Sequence, residues 1–388
     1  MTDDLDLHQQ QQLQRMQAHL QAVLAAAGGW IDFARYMDEA LYAPGLGYYS
    51  AGARKFGRDG DFVTAPELSP LFGSCVALQC AQVLRGLGDG DVLELGAGSG
   101  RLAFDVLQAL DRDDCLPQRY LILEVSADLR QRQRELLAGL PAALASRVQW
   151  LDAPPTQGWR GVLLANEVLD ALPCDCFAIG PGGQVLTRGV GLDAQGRLQW
   201  QPRPAGAALA AEVVRLQSQL PQPMVEGHAA ELCLRTAPWI AAVTAQLQAG
   251  VALFIDYGLP RAQYYQPERD RGTLRCHWRQ RAHDDPLWLP GLQDITAWVD
   301  FTRVAEAADS SGLQVLGFTS QMGFLLGTGI ESLIAALPDG VVRTRRLTEA
   351  RELLMPEAMG EAFKVIALGR EWSSPLAGFA VQDWLERL

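Results

Sequence analysis

The chain has 388 residues, with 33 Lys and Arg against 45 Asp and Glu and a net charge of −12. That length exceeds one typical domain and falls short of three, so one enlarged domain with a cap is expected. The charge excludes a general nucleic-acid scaffold, which needs a phosphate-neutralising basic surface.

The opening Met1-Thr2-Asp3-Asp4 is acidic and no long apolar run follows, so neither a secretory signal, nor an arginine-rich presequence, nor a membrane span is expected. Residues 9–21 are glutamine-rich, with Leu13, Met16, Leu20 and Leu24 at near-helical spacing, and read as an amphipathic helix without chemistry. Further on, Asp61, Thr64, Pro66 and Glu67 surround a Thr-x-Pro turn. Turn chemistry accounts for Pro66 and in part for Asp61, but not for two acids in one stretch.

Residues 91–101 run Asp-Val-Leu-Glu-Leu-Gly-Ala-Gly-Ser-Gly-Arg. An apolar run breaking into alternating glycines before a helix reads as a buried strand, a tight loop and a helix start. Glycine there permits positive φ and lets a ligand approach the main chain without meeting a Cβ. The dinucleotide fingerprint would place its third glycine one residue later, where Arg101 stands. The pattern E-x-G-x-G-x-G, carried by Glu94, Gly96, Ala97, Gly98 and Gly100, resembles the first motif of the Rossmann-like S-adenosyl-L-methionine (SAM) methyltransferases, with Glu94 supplying negative charge near the cofactor's ammonium group. A glycine-rich turn without a ligand is the alternative. Next, Tyr120-Leu121-Ile122-Leu123-Glu124 is a strand ending in an acid, which in a βαβ nucleoside site accepts from the ribose hydroxyls. Alternatively Ser126 or Asp128 caps the following helix and Glu124 is a first-turn acid.

Apolar runs at 92–95, 121–125, 148–151, 162–165, 251–255, 313–318 and 363–368 alternate with helical patterns, implying a mainly parallel sheet. Two insertions, at about 171–250 and 259–303, interrupt it, the first with a hairpin at 184–200 turning at 193–196. Both leave from carboxyl ends of strands, where ligands bind in open α/β sheets, and are expected to wall the substrate side. Asn166 and Glu167 follow the fourth strand, and Asp170 stands one helical turn beyond Glu167 on the same face if a helix begins there. Asn166 would then be its N-cap. Asp256 and Tyr257 end the fifth strand and either border substrate or form a turn. Arg275, His277 and His283 make a candidate substrate-binding set, with surface or packing roles the alternative for the histidines; Trp278, Trp288 and Trp298 read as packing, with a cation–π role open. The seven cysteines lack a C-x-x-C pair and indicate a reducing compartment. Cys174 and Cys176 share one face of an expected strand and, without a histidine pair, read as buried hydrophobes, so no metal is expected.

The runs 36–49 and 60–73, Asn166-Glu167-Val168-Leu169-Asp170, Phe254-Ile255-Asp256-Tyr257-Gly258, Gly272-Thr273-Leu274-Arg275, Asp294-Ile295-Thr296 and 359–365 resemble, in order, the motifs of the MidA-like family. This family includes the mitochondrial protein arginine methyltransferase of complex I assembly. The resemblance spans about 31–368 and departs at Cys276-His277-Trp278. It implies a Rossmann-like α/β fold with a seven-stranded, mostly parallel sheet whose last strand is antiparallel. It also implies a helical N-terminal extension over 1–85 with a cofactor-covering segment, a methyltransferase domain over 86–370 and a C-terminal tail over 371–388. SAM is the implied cofactor, contacted at Glu94, Gly96, Ala97, Gly98, Gly100 and Glu124 and, from the covering segment, at Asp61, Thr64, Pro66 and Glu67. Glu167, Asn166 and Asp170 are the implied catalytic residues. A protein substrate is expected, with a respiratory-complex subunit as a candidate partner, and the missing presequence implies a bacterial cytoplasmic relative. Methylation of a small molecule or another side chain, and an assembly factor that binds SAM without turnover, remain open.

Overall fold

The computed structural model describes residues 5–51 and 64–388. Its central sheet is built from β1 (Asp91–Leu95), β2 (Tyr120–Leu123), β3 (Val148–Leu151), β4 (Trp159–Asn166), β5 (Leu247–Leu259), β6 (Gln314–Ser320) and β7 (Phe363–Arg370). All seven expected strands are present. Their spatial order is β6-β7-β5-β4-β1-β2-β3. Strand β7 runs antiparallel to β5 and β6, and every other neighbouring pair is parallel. The order reverses between β1 and β4, which leaves a crevice at their carboxyl ends.

The strands read as unbroken apolar runs because both faces are covered. On one face Val92, Tyr120, Val162, Leu253 and Val365 pack with α3 (Pro70–Leu87), α4 (Arg101–Arg112) and, between β6 and β7, α9 (Gln321–Gly327), α10 (Ile330–Ala335) and α11 (Val341–Leu354). On the other, Leu93, Leu163, Phe254 and Ile366 pack with α7 (Thr236–Thr244) and α8 (Phe301–Ser310). Alternate residues of each strand supply the two cores, as the period of two requires. Helix α5 (Ala127–Leu137) joins β2 to the β3 side.

The N-terminal helix α1 (Leu7–Ala26) starts at a capping box between Asp6 and Gln9 and buries Leu13, Met16, Leu20 and Leu24, the spacing read from sequence. With α2 (Phe33–Tyr42) it packs on a second, antiparallel sheet formed by Trp30–Asp32, Asp175–Ile179, Val185–Leu192, Leu198–Pro204 and Ala229–Leu232. Val185–Leu192 and Leu198–Pro204 are the expected hairpin. Helix α6 (Ala207–Gln219) covers this sheet elsewhere. The stretch after β5 adds three short strands, Arg275–Trp278, Arg281–His283 and Asp294–Thr296. Among the described residues no helix is long and apolar enough to cross a membrane.

Candidate active site

At the crevice β1 passes into a loop in which Gly96, Gly98 and Gly100 have φ of 61°, 55° and 87°. This left-handed backbone strains any residue with a Cβ. A Cβ at Gly96 would lie 3.2 Å from Val168, and one at Gly100 3.2 Å from Gln133. Gly100 caps α4 and rests against Gln133, so it shapes the loop from behind and does not line the cavity. Glu94 lies in β1, buried, with the Tyr120 hydroxyl donating to it at 2.6 Å. Burial, and secondarily Glu124, raise its carboxyl to about 7, opposed by that hydrogen bond.

Glu124 follows β2 and is buried. It accepts from the Ser126 amide at 3.0 Å and from Gln133 Nε2 at 3.0 Å. Ser126 caps α5, so the cap and a cavity-facing Glu124 coexist and were not alternatives. Thr64, Pro66 and Glu67 border the same cavity, and the Ser99 hydroxyl donates to Glu67. Asp61 lies outside the described residues.

Beyond β4 the chain forms no helix. Asn166 is the last residue of the strand and Glu167 takes a left-handed φ of 55°. The expected N-cap at Asn166 and helical spacing from Glu167 to Asp170 are therefore corrected. The turn is held from the neighbouring strand, where Asp256 Oδ2 accepts from the amides of Val168, Leu169 and Asp170 at 3.1, 2.9 and 3.3 Å. An acceptor supplied by β5 replaces the local helical bonds. Asn166 Nδ2 donates to Glu167 Oε1 at 3.0 Å, and the Tyr257 hydroxyl donates to Asp170 Oδ2. Asn166 Oδ1 and Asp170 Oδ1 are buried without a partner. Burial, reinforced by Asp170, raises Glu167 to about 8; burial raises Asp170 to about 6 against the Tyr257 hydrogen bond. Asp256 is raised by burial and then by Asp170 and Glu167.

Glu94, Glu124, Asn166, Glu167 and Asp170 share one cavity of about 1130 Å³ with Tyr42, Tyr49, Tyr257, Arg275, His277, Asp294 and Trp298. Typical small-molecule sites occupy about 300–1,000 Å³, so a cofactor and an acceptor side chain fit together. The wall comes from the segment after α2 and from the second insertion, while the first contributes Ala171, Leu172 and Pro173 at its start and Trp239, Ala242 and Val243 of α7, its middle strands backing α1 and α2. His283 packs edge-on against Trp288, which also packs on Trp278. Cys174 and Cys176 are buried free thiols, and among the described residues no cluster is arranged to hold a metal. Gln133 and Asp294 were not singled out as site residues from sequence, since nothing in their spacing marks a side chain reaching across to another element, whereas Tyr257, read as bordering substrate or forming a turn, does line the cavity.

The glycine cradle, the held Glu124 carboxylate and the cavity size fit SAM. The model of the Methyltransf_28 family, S-adenosyl-L-methionine-dependent methyltransferases, matches residues 75–319. A protein from Burkholderia thailandensis, solved bound to S-adenosyl-homocysteine, is 42% identical with 99% of each chain covered and a TM-score of 0.94. Among curated relatives, the mitochondrial protein arginine methyltransferase NDUFAF7 homolog of Drosophila melanogaster is 30% identical over 88% of this chain and 82% of its own. NDUFAF7 of Danio rerio is 29% identical over 90% of this chain and 86% of its own. The chain thus belongs to this family of SAM-dependent methyltransferases, the MidA-like group its motifs resemble, and SAM is its cofactor.

Proposed function

We propose that the protein methylates a guanidino nitrogen of an arginine on a protein partner. The observation that carries this reading is the pair Glu167, half-buried, and Asp170, buried, both facing the cavity and in no ion pair among the described residues. Among the described residues, the two arginines on the lining, Arg101 and Arg275, are already matched by Asp105 and Asp284. A cationic acceptor would supply a counter-charge to these two acids. The names of the zebrafish and fly relatives, protein arginine methyltransferases, support the same class.

Bound SAM supplies a methyl group on a positively charged sulfur. A guanidinium, with a pKa above ~12, is not deprotonated beforehand, so a carboxylate must orient it and draw positive charge away from the attacking nitrogen. Glu167 takes that role. Asp170, with its Oδ2 held by the Tyr257 hydroxyl and Oδ1 free, receives the guanidino proton released when the methyl passes from sulfur to nitrogen, the methyl–sulfur bond breaking to leave S-adenosyl-homocysteine. Tyr42, Tyr49 and Trp298 keep water from the reacting atoms. Glu94 would face the cofactor's ammonium and Glu124 would take its ribose hydroxyls, with Thr64, Pro66 and Glu67, which border the same cavity, covering it. The cytoplasm of a bacterium is the proposed location. Higher identity to the Burkholderia protein than to the mitochondrial ones, and seven free cysteines, support it. A respiratory-complex subunit is the first partner to test.

Methyl-labelled SAM, wild-type protein and lysate from cells lacking it, read by mass spectrometry, identify the acceptor. On that acceptor Glu167→Gln should retain SAM affinity while single-turnover transfer falls about 10²-fold. Wild-type rates in the variant would remove Glu167 from catalysis. Label on a residue other than arginine would overturn the substrate class, and no label from the wild type would favour an assembly factor.

A further inference from the structure

We propose that Gln133 is a positioning residue of the cofactor site, its buried amide clamping the glycine loop and the Glu124 carboxylate into one rigid unit. Gln133 projects from α5 and is 0% exposed. Its Nε2 donates to the Gly98 carbonyl at 2.9 Å and to Glu124 Oε2 at 3.0 Å. Its Oε1 accepts from Trp150 Nε1 at 2.9 Å.

An indole N–H can only donate, so Trp150 dictates which end of the amide carries oxygen. Both N–H groups are thereby aimed at the loop and the acid. A flipped amide would set its oxygen against the Gly98 carbonyl and the Glu124 carboxylate and leave Trp150 facing a donor. The Ser126 amide holds the other Glu124 oxygen at 3.0 Å, which fixes the carboxylate plane from both sides. The Gln133 stem also fills the space a Cβ at Gly100 would need, 3.2 Å away. One side chain from the second βα unit therefore sets the loop of the first and the acid that follows β2. A carboxylate and loop ordered before binding spend less of the ligand's interaction energy on ordering.

The clamp rests on the assignment of Glu124 to the ribose, and calorimetric titration of S-adenosyl-homocysteine into the full chain tests both. Gln133→Met and Glu124→Ala should each weaken binding about tenfold, and the double variant about twentyfold, because the two act partly through one contact. Losses that multiply to about a hundredfold, or wild-type affinity in Gln133→Met, overturn the clamp. Wild-type affinity in Glu124→Ala removes the ribose reading and with it the Glu124 half of the clamp, so the two failures are distinct.

Gln133→Glu keeps the size and the acceptor for Trp150 but places a second carboxylate against Glu124, and covers the case in which Gln133→Met does not fold. Among the described residues the other charged groups nearby are Glu94, Arg130 bonded to the Glu124 carbonyl, and Arg134 over the Trp150 ring. Two adjacent carboxylates share a proton at low pH, which restores a donor. Affinity relative to wild type should therefore be lowest near about pH 8 and recover near about pH 6. A ratio that does not change with pH means that Gln133 only packs, and overturns the proposal.

Discussion

Glu167 is a non-glycine residue in left-handed backbone at the carboxyl end of a central strand, a conformation that costs energy and recurs at functional sites. Burial first, then Asp170, lifts its carboxyl to about 8, so the free protein holds it largely protonated at neutral pH. A carboxyl raised in the folded state contributes stability that is present below the ordinary carboxylate range and is lost as pH rises through the folded value. Glu94 at about 7 and Asp170 at about 6 act in the same direction. The melting temperature of the free protein should therefore fall between about pH 5.5 and 8.5. A guanidinium ligand reverses the sign by stabilising the ionised form. Agmatine, titrated in the presence of S-adenosyl-homocysteine, should bind more tightly as pH rises from about 6 to 8, and Glu167→Gln should flatten much of that rise. Affinity that ignores pH in the wild type would show that no carboxyl ionises when the cation enters.

At the level of elements, the turn after β4 depends on β5. Strand alternation sends Asp256 and Tyr257 to opposite sides, so one dipeptide holds the backbone of 168–170 and the side chain of Asp170. Asp256→Val leaves three amides without their acceptor, and urea unfolding should show a loss of about 2–4 kcal/mol. Folded variant should bind S-adenosyl-homocysteine close to normally yet transfer methyl much more slowly, because the acid turn moves while the glycine loop does not. Equal losses in binding and transfer would mean that Asp256 supports the whole crevice. The acids at 166–170 were legible as a cluster, but their turn was read as a helix start, since sequence spacing cannot register an acceptor almost ninety residues away on the next strand. Helices α9 to α11 went unread, though the turn after them brings Met359 to the cavity.

Across the whole molecule, charged side chains join the two insertions to each other and to helix α8. Arg261, 5% exposed at its side chain, meets Asp300 at 3.2 Å and Glu306 at 2.6 Å. Glu306 also holds Arg215 of α6 at 3.0 Å, and Glu212 of α6 holds Arg303 of α8. Removing one member of a buried pair strands the others, so Arg261→Met should cost about 3–5 kcal/mol in urea unfolding. Transfer should suffer more than cofactor affinity, because Arg275, His277, Asp294 and Trp298 of the second insertion line the cavity that Glu167 and Asp170 face. A stable variant with normal transfer would show that packing alone seats the insertions.

Runs of apolar residues, alternating glycines and strand-terminal acids are local patterns, and they sufficed for the seven strands, the glycine loop and the positions of Glu94, Glu124, Glu167 and Asp170 along the chain. Backbone periodicity and the φ demands of a tight loop are properties of neighbouring residues, which is why sequence alone determined them. Tertiary structure alone decided that Gly100 supports the loop from behind, that Asp256 holds the acid turn and that Tyr257 aims Asp170. Each is a contact between segments far apart in the chain, fixed by strand register and by which buried donors and acceptors find one another once the sheet has formed.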